Sequence, residues 1–402
     1  MNLQDIINFT LHSLLHQKLR SFLTVLGIIV GISSVILLVG LVQGLKTDVL
    51  SQLEDFGPRT ILITPRSTSS GGFGGPSSFS PTTGKLFEKD YERVKRLPEI
   101  ESITKIISGT TTVQFKDQSI SGTVFGIEAS LFDDTVPVEI DSGRFLDDSD
   151  RGVAGIGHDI VEGFDEDVKT QSNLLLVGKK FKVIGTLKPT GNSFAPIDNV
   201  IFIAFDDAKE LFNESLLDNE ISAIRLTLKE GTNVSAAEDE IVDIMLASHR
   251  VTEDEKDFGI ISPEFINKTF TGVLDTITLF LGAIASISLI VGGIGISNTM
   301  FMSVLERRRE IGTMKAVGAT TTQIRNIFIV ESSIIGMLGG ILGLTLAIVI
   351  GFIITLFDIN FIFDPFVMIG AVAFSIIIGL ISGTFPAIEA AKVDPMVALR
   401  YE

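Results

Sequence analysis

Residues Phe22–Val42 read FLTVLGIIVGISSVILLVGLV, twenty-one consecutive side chains without a charge. An α-helix rises about 1.5 Å per residue and a bilayer's hydrocarbon core is about 30 Å thick, so about 20 such residues cross it. A lone run of this kind could be a buried core helix. Three more follow, at Thr276–Leu305, Ser332–Phe357 and Pro365–Ile388, and four together predict a four-span membrane protein. The second is longer than a crossing needs, so it should tilt or project beyond the bilayer. The first run has no small-residue cleavage site at its end and reads as an uncleaved signal anchor.

The charges sit elsewhere. Between Lys46 and Phe270 lie 23 of the 32 Lys+Arg and 39 of the 49 Asp+Glu, which places a net −16 of the chain's −17 in that stretch. The chain thus reads as an acidic, water-soluble domain spliced into a hydrophobic scaffold, and a nucleic-acid partner is not expected. Cysteine is absent, which excludes disulfide and thiolate chemistry. His12, His16, His158 and His249 lack metal-ligand spacing, so no metal and no bound cofactor are expected. Gly178-Lys179-Lys180 lacks the preceding glycine and following Ser/Thr of a phosphate loop, and no Walker-type sequence occurs anywhere. No catalytic constellation appears; the chain reads as a moving part and not an enzyme.

Orientation follows from the basic residues of the short segments. Lys18 and Arg20 precede the first span. Arg307, Arg308, Arg309, Lys315 and Arg325 lie between the second and third, and Lys392 and Arg400 follow the fourth. The link between the third and fourth carries Asp358 and Asp364 instead. Both termini are therefore expected in the cytoplasm of a cell-membrane protein and 46–270 outside. Leu3, Ile7, Leu11 and Leu14 or Leu15 recur at helical spacing, so 1–20 reads as an amphipathic helix on the inner membrane face. The expected order is then span 21–45, outer domain 46–270, span 271–305, cytoplasmic link 306–325, spans 326–357 and 365–388, and tail 389–402.

The outer domain is mixed α/β. Strands are expected at Thr60–Thr64, Thr110–Phe115, Gly122–Gly126, Lys180–Ile184, Val200–Ala204, Ala223–Leu228 and Phe258–Ser262, with helices over Glu88–Leu97 and Val234–His249. The Ser/Gly/Pro-rich stretch Ser67–Gly84 reads as a flexible loop. The first and last blocks share a strand–helix–strand order, which divides the domain into a discontinuous part, 46–130 with 220–270, and an inserted β-rich part, 131–219. Asp147, Asp148 and Asp150 read as solvated surface.

Two further features stand out. Gly27 and Gly31 in the first span, Gly292 and Gly295 in the second, and Gly336 and Gly340 in the third let helices approach closely in lipid, within one copy or along a dimer seam. The link reads ERRREIGTMKAVGAT over 306–320. Arg307–Arg309 suffice as a topological anchor, but that leaves Ile311, Met314 and Val317 unexplained. At steps of three these lie along one side of a short helix ended by Gly318, a stripe suited to docking on a partner and continuous with the preceding span.

The link resembles that of the MacB/FtsX-type ABC-transporter permeases in Glu306, Arg309, Glu310-Ile311-Gly312, Lys315-Ala316 and Gly318-Ala319. The first-span run Leu19–Gly27, the ending Pro386-Ala387, Ala390-Ala391, Asp394-Pro395 and Ala398-Leu399-Arg400, and Val183-Ile184-Gly185 with Leu187-Lys188-Pro189 are similar as well. The resemblance implies a dimer of four-span subunits with a porter-like and an inserted β-rich outer part. It also implies a separate ABC-type ATPase, carrying ATP and Mg, docked on 306–319, an extracytoplasmic adaptor, and efflux or export driven by movement of the outer domain. Two relatives of that function stay open at this point: regulation of an extracellular cell-wall hydrolase, and lipoprotein release. A membrane-anchored receptor needs only one span and is disfavoured.

Overall fold

The computed structural model describes residues 18–65, 84–133, 138–190 and 197–400. The amphipathic segment expected before residue 18 and most of the expected Ser67–Gly84 loop lie outside them. Contacts divide the chain into a helix unit, up to Asp48 and from Thr271 onward, and a sheet unit, Val49–Phe270.

In the helix unit, four helices are long and apolar enough to cross a membrane. They are α1 (Lys18–Phe56), α7 (Pro263–Glu306), α9 (Thr321–Thr355) and α10 (Pro365–Lys392), with two short helices, α8 (Arg308–Ala316) and α11 (Pro395–Arg400). The numbering runs in chain order through the sheet unit described below. At 44 residues α7 is about 66 Å long by helical rise, over twice the hydrocarbon thickness. Local chemistry fixes the starts. Thr320 and Gln323 exchange reciprocal bonds (2.8 and 3.3 Å) ahead of α9. Asp364 accepts from the Phe366 amide (2.9 Å) with Pro365 at the first position of α10.

Small residues set the spacing. A Cβ placed on Gly27 would stand 3.0 Å from Gly292 Cα, and one on Gly336 would stand 2.5 Å from Ser375 O and 3.1 Å from Gly379 Cα. Gly31 lies against Leu289 and Gly340 against Ser375. Gly295 is half-buried and its carbonyl accepts from Thr299 Oγ1 (2.9 Å). Gly27 and Gly31, one candidate dimer seam, thus seat α7 of the same copy. Ile28, Ile32, Leu289, Ile296, Phe328, Ile335 and Ala387 form the apolar centre of this unit.

The sheet unit begins with β1 (Thr60–Thr64), β2 (Leu86–Phe87), α2 (Glu88–Val94), β3 (Ile100–Phe115) and β4 (Gln118–Ile127). It continues with α3 (Ala129–Asp133), β5 (Ile140–Gly143), β6 (Val153–Ile156), α4 (His158–Glu162), β7 (Asn173–Leu176), β8 (Lys179–Leu187), β9 (Val200–Ala204) and α5 (Phe205–Leu211). Last come β10 (Glu220–Ile221), β11 (Ala223–Leu228), α6 (Val234–His249) and β12 (Gly259–Ile261). Ten strands make one sheet in the order β12-β1-β11-β3-β4-β9-β6-β8-β5, and β7 pairs with both β3 and β8.

That double pairing closes β3-β4-β9-β6-β8-β7 into a ring, which corrects the expected division into two parts. The stretch 131–219 supplies β5–β9, but it does not fold apart from the flanking blocks. The reason is the length of β3. Its first half pairs with β11 (Ile100–Ile106), while Val113 and Gln114 extend beyond β11 and pair with Leu176 and Leu175 of β7. An unpaired strand edge is a liability, and the inserted strands complete it. Apolar side chains alternate accordingly: Ile61, Ile63, Ile224 and Leu226 face α6 residues Ile241 and Met245 in one core, while Leu62 and Ala223 join Val49, Leu53 and Ile266 in another.

One buried polar cluster pins α6. His249, its side chain 5% exposed, places Nδ1 2.8 Å from Asp257 Oδ1 and Nε2 3.4 Å from Asp90 Oδ2, an ion-pair distance. The Asp90 carboxylate raises the His249 pKa above its ordinary 6.5, outweighing burial, which lowers it. Burial acts to raise the Asp90 carboxyl, but the His249 imidazole beside it and bonds from Ser248 and the Phe87 amide bring it below its ordinary 3.8. The signs set a window. A raised histidine stabilises fully below its unfolded value and loses that as pH rises through the folded one; a depressed carboxyl loses its share as pH falls. The contribution is complete between 3.8 and 6.5. On raising the pH past the His249 value, the melting midpoint should drop by about 2–4 °C for each kcal/mol lost. A pH series of thermal melts comparing wild type with His249→Asn checks this, and the variant should lose the alkaline slope.

Candidate functional site

The link from Glu306 to Thr320 is a hinge and a short helix. Arg307 leaves helical geometry (φ −99°, ψ 16°), so α7 and α8 meet at a one-residue break and are not one rod. The expected rigid continuity is thus corrected. Arg307 spans the break with its side chain: Nε lies 3.0 Å from Glu310 Oε2 and Nη1 3.2 Å from Glu331 Oε2, and the guanidinium covers the Phe328 ring at 5.5 Å. Glu331, with a side chain only 6% exposed, sits on α9 and needs a cation to be tolerated there.

The far end of α8 is held by Lys315. Its Nζ donates to Ala391 O (2.6 Å) and Val393 O (2.8 Å) at the end of α10, where helix carbonyls lack internal partners. Gly318 (φ +104°) then takes a conformation that a side chain would strain, and its amide donates to Lys315 O at 3.0 Å. Ala319 closes the turn, its amide bonding Met314 O at 3.0 Å.

Between these pins the apolar stripe is split. Ile311 is fully buried in the helix unit's core with Gly312 beside it, and Met314 and Ala319 pack against that core. The expectation that Ile311 and Met314 are presented to a partner is corrected: α8 packs against α11 and is tied to the end of α10 by Lys315, and its apolar side joins the core of the same chain. Val317 points outward, 90% exposed, on the side that also carries Arg309, Glu310, Ala316 and Gly318; Glu306 is exposed and Lys315 half-buried. Sequence reasoning passed over Arg307 and Glu331 as a pair. The available signal was a carboxylate inside an otherwise apolar run, which demands a nearby cation.

Elsewhere, Asp147, Asp148 and Asp150 do more than meet solvent. Arg144 grips Asp150 through two bonds (2.6 and 2.7 Å), Asp150 accepts from the Asp147 amide (2.8 Å), and Asp148 accepts from the Ser130 amide (3.0 Å) and hydroxyl (2.5 Å). They shape the turn between β5 and β6. Among the described residues no three His, Asp or Glu converge as metal ligands.

Residues 21–244 match the family model of the MacB-like periplasmic core domain, and 282–395 match that of the FtsX-like permease C-terminal region. The chain is 32% identical to an uncharacterized ABC transporter permease of Methanocaldococcus jannaschii, covering 100% of this chain and 99% of that one. It is 31% identical to the macrolide export ATP-binding/permease protein MacB of a Shewanella species over 96% of its own length, and spans 59% of that relative's. Among solved structures, the periplasmic region of MacB from Actinobacillus actinomycetemcomitans aligns with 56% of this chain and 98% of that one at 18% identity and a TM-score of 0.44. The first family model takes in α1 from residue 21, the second begins within the long helix α7 and takes in the hinge, α8 and the last two apolar helices, and one relative matches from end to end: the chain belongs to the MacB/FtsX-type ABC transporter permeases.

Proposed function

We propose that this permease is driven by a separate ABC-type ATPase subunit, which holds ATP and Mg and docks on the outward side of α8. The contact is assigned to Glu306, Arg309, Glu310, Ala316, Val317 and Gly318, while Ile311, Gly312, Met314, Lys315 and Ala319 hold the helix in place. The observation that carries this reading is Val317, an apolar side chain left 90% exposed at the C-cap of a helix fixed at both ends. An apolar anchor on a pre-set support is the usual form of a binding hot spot. Arg307 serves as the pivot through which movement of α8 reaches α7 and α9.

The lysines and arginines flanking the spans favour both termini, and α8 with them, on the cytoplasmic side, and Val49–Phe270 on the outer side. Two copies would work together, with an extracytoplasmic adaptor on the sheet unit, and the cycle would serve efflux or export. Val317→Asp tests the docking surface. It should weaken ATPase capture by about 100-fold in co-purification, while expression and the melting midpoint of the permease stay as in wild type. ATPase capture at the wild-type level would remove the assignment. A charge at Met314 is the poorer probe, because that side chain packs against the core.

A further inference from the structure

Two side-chain ties fasten helix α6 to the segment that follows it. Near the start of α6, Glu238 Oε2 accepts from Ser262 Oγ at 2.6 Å. Ser262 also opens α7, its hydroxyl accepting from the Phe265 amide and its carbonyl from the Ile266 amide, both at 3.0 Å. At the end of α6, His249 Nδ1 meets Asp257 Oδ1 at 2.8 Å. The segment therefore runs back along α6 and hands the chain to α7. Between the ties lies β12, an edge strand of three residues with β1 as its one neighbour. Phe258 and Ile260 bury their side chains, which leaves the flanks to the two ties.

The ties differ in kind. The first is a hydroxyl donating to a carboxylate, whereas the second depends on a proton. Both ring nitrogens of His249 are turned to carboxylates, Nδ1 to Asp257 and Nε2 to Asp90 at 3.4 Å. A neutral imidazole carries one N–H, so it serves one of them and sets a lone pair against the other; the imidazolium serves both. Among the described residues, the charges acting on the ring are those of Asp90 on α2 and Asp257 ahead of β12. Neighbouring Lys256 lies over the Phe258 ring, 5.0 Å from its centroid, with Glu238 and Glu253 acting on it. The two carboxylates are not equally free to leave a neutral ring. Asp90 is fully buried and held by the Ser248 hydroxyl and the Phe87 amide, while the Asp257 side chain is 29% exposed and can turn to solvent.

We infer that His249 is a proton-operated latch on 250–262, closed on Asp257 when the imidazole is charged and released on that side when it is neutral. Release leaves β12 and the first turn of α7 to the Glu238–Ser262 tie, the short ladder to β1 and the packing of Phe258 and Ile260. The opening is confined to this edge of the sheet, while β3 and β4, paired from Ile106 to Phe115, stay closed. The latch lies wholly within Val49–Phe270 and does not depend on the ATPase assignment.

Hydrogen exchange read by mass spectrometry tests this on the full chain in nanodiscs, in a pH series from the acid to the alkaline side of 6.5, the ordinary histidine value. Rates are corrected for the intrinsic pH dependence of exchange. The amides of 257–261 should exchange ahead of those of β3 and β4 throughout the series. Their opening constant should rise about tenfold in total as His249 loses its proton, the lower end of what one adjacent opposite charge supplies. Asp257→Asn should raise exchange on the acid side and flatten the profile. His158→Gln, which removes an exposed histidine paired to Glu162 on α4, should leave the profile as in wild type. The latch is ruled out if 257–261 exchange in step with β3 and β4, if their protection does not change with pH, or if Asp257→Asn keeps the wild-type profile. The first two outcomes are read on the wild-type chain, so an unstable variant does not leave the question open.

Discussion

Gly336→Leu is expected to abolish recovery of monodisperse protein from the membrane, while Gly282→Leu is expected to leave it unchanged. Both changes replace glycine by leucine in a long apolar helix, and both raise intrinsic helix propensity by nearly 1 kcal/mol. They differ in what the new Cβ meets. At Gly336 it would lie 2.5 Å from Ser375 O and 3.3 Å from Gly379 N, backbone atoms that no rotamer change can move. At Gly282 nothing stands within 4 Å. The clash forces α9 away from α10 along their contact, including the seats of Gly340 against Ser375 and Gly383 against Ser332. In lipid no hydrophobic effect draws separated helices back, so lost packing is lost outright. Overpacking costs about 1–3 kcal/mol where side chains can yield, and a backbone contact belongs at or above the upper end. Detergent-extracted gel filtration with a thermal melt of each variant decides it. A Gly336→Leu protein that elutes and melts like wild type would mean the two helices do not cross at these residues.

The long elements were legible because their signals are local. Val200–Ala204, Ala223–Leu228 and Val234–His249 match their expected limits residue for residue, each carrying a period or an apolar run of its own. The first half of β3 was missed because IESITKIISG alternates poorly: Ile106 and Ile107 are both buried, one toward each core. Nor could the ring be read, since it depends on β7 meeting β3 through Val113 and Gln114, about 60 residues away, and strand pairing at such range leaves no mark on composition. In the link, the residue types were legible and the direction of the helix was not. A period of three to four defines an apolar side but does not say whether a partner or the chain itself covers it. Ile311 proved buried and Val317 exposed, although both sit at the same step of the pattern.

Arg307→Ala is expected to be the most damaging single change in the link, and its damage should separate into two measurable parts. The first is stability. Removing the guanidinium leaves the Glu331 carboxylate, its side chain 6% exposed, without the cation now 3.2 Å away, and uncovers the Phe328 ring. Breaking a buried pair from one side costs about 3–5 kcal/mol, because the remaining charge has lost its water and gained nothing. Glu331→Gln should cost less, since the amide oxygen still accepts from Arg307, which also keeps Glu310. The double variant Arg307→Met/Glu331→Met should recover most of the loss, as apolar side chains of similar volume often replace such pairs without penalty. The second part is coupling. Arg307 is the residue at which α7 gives way to α8 and the one whose side chain also reaches α9. If it acts as the pivot, the double variant will melt near wild type and bind the ATPase, yet fail to couple its hydrolysis to the permease's work. Melting midpoints, ATPase capture and permease-dependent hydrolysis measured on the same three variants distinguish the two roles. A double variant that regains stability and coupling together would reduce Arg307 to a packing residue and leave movement of α8 to some other contact.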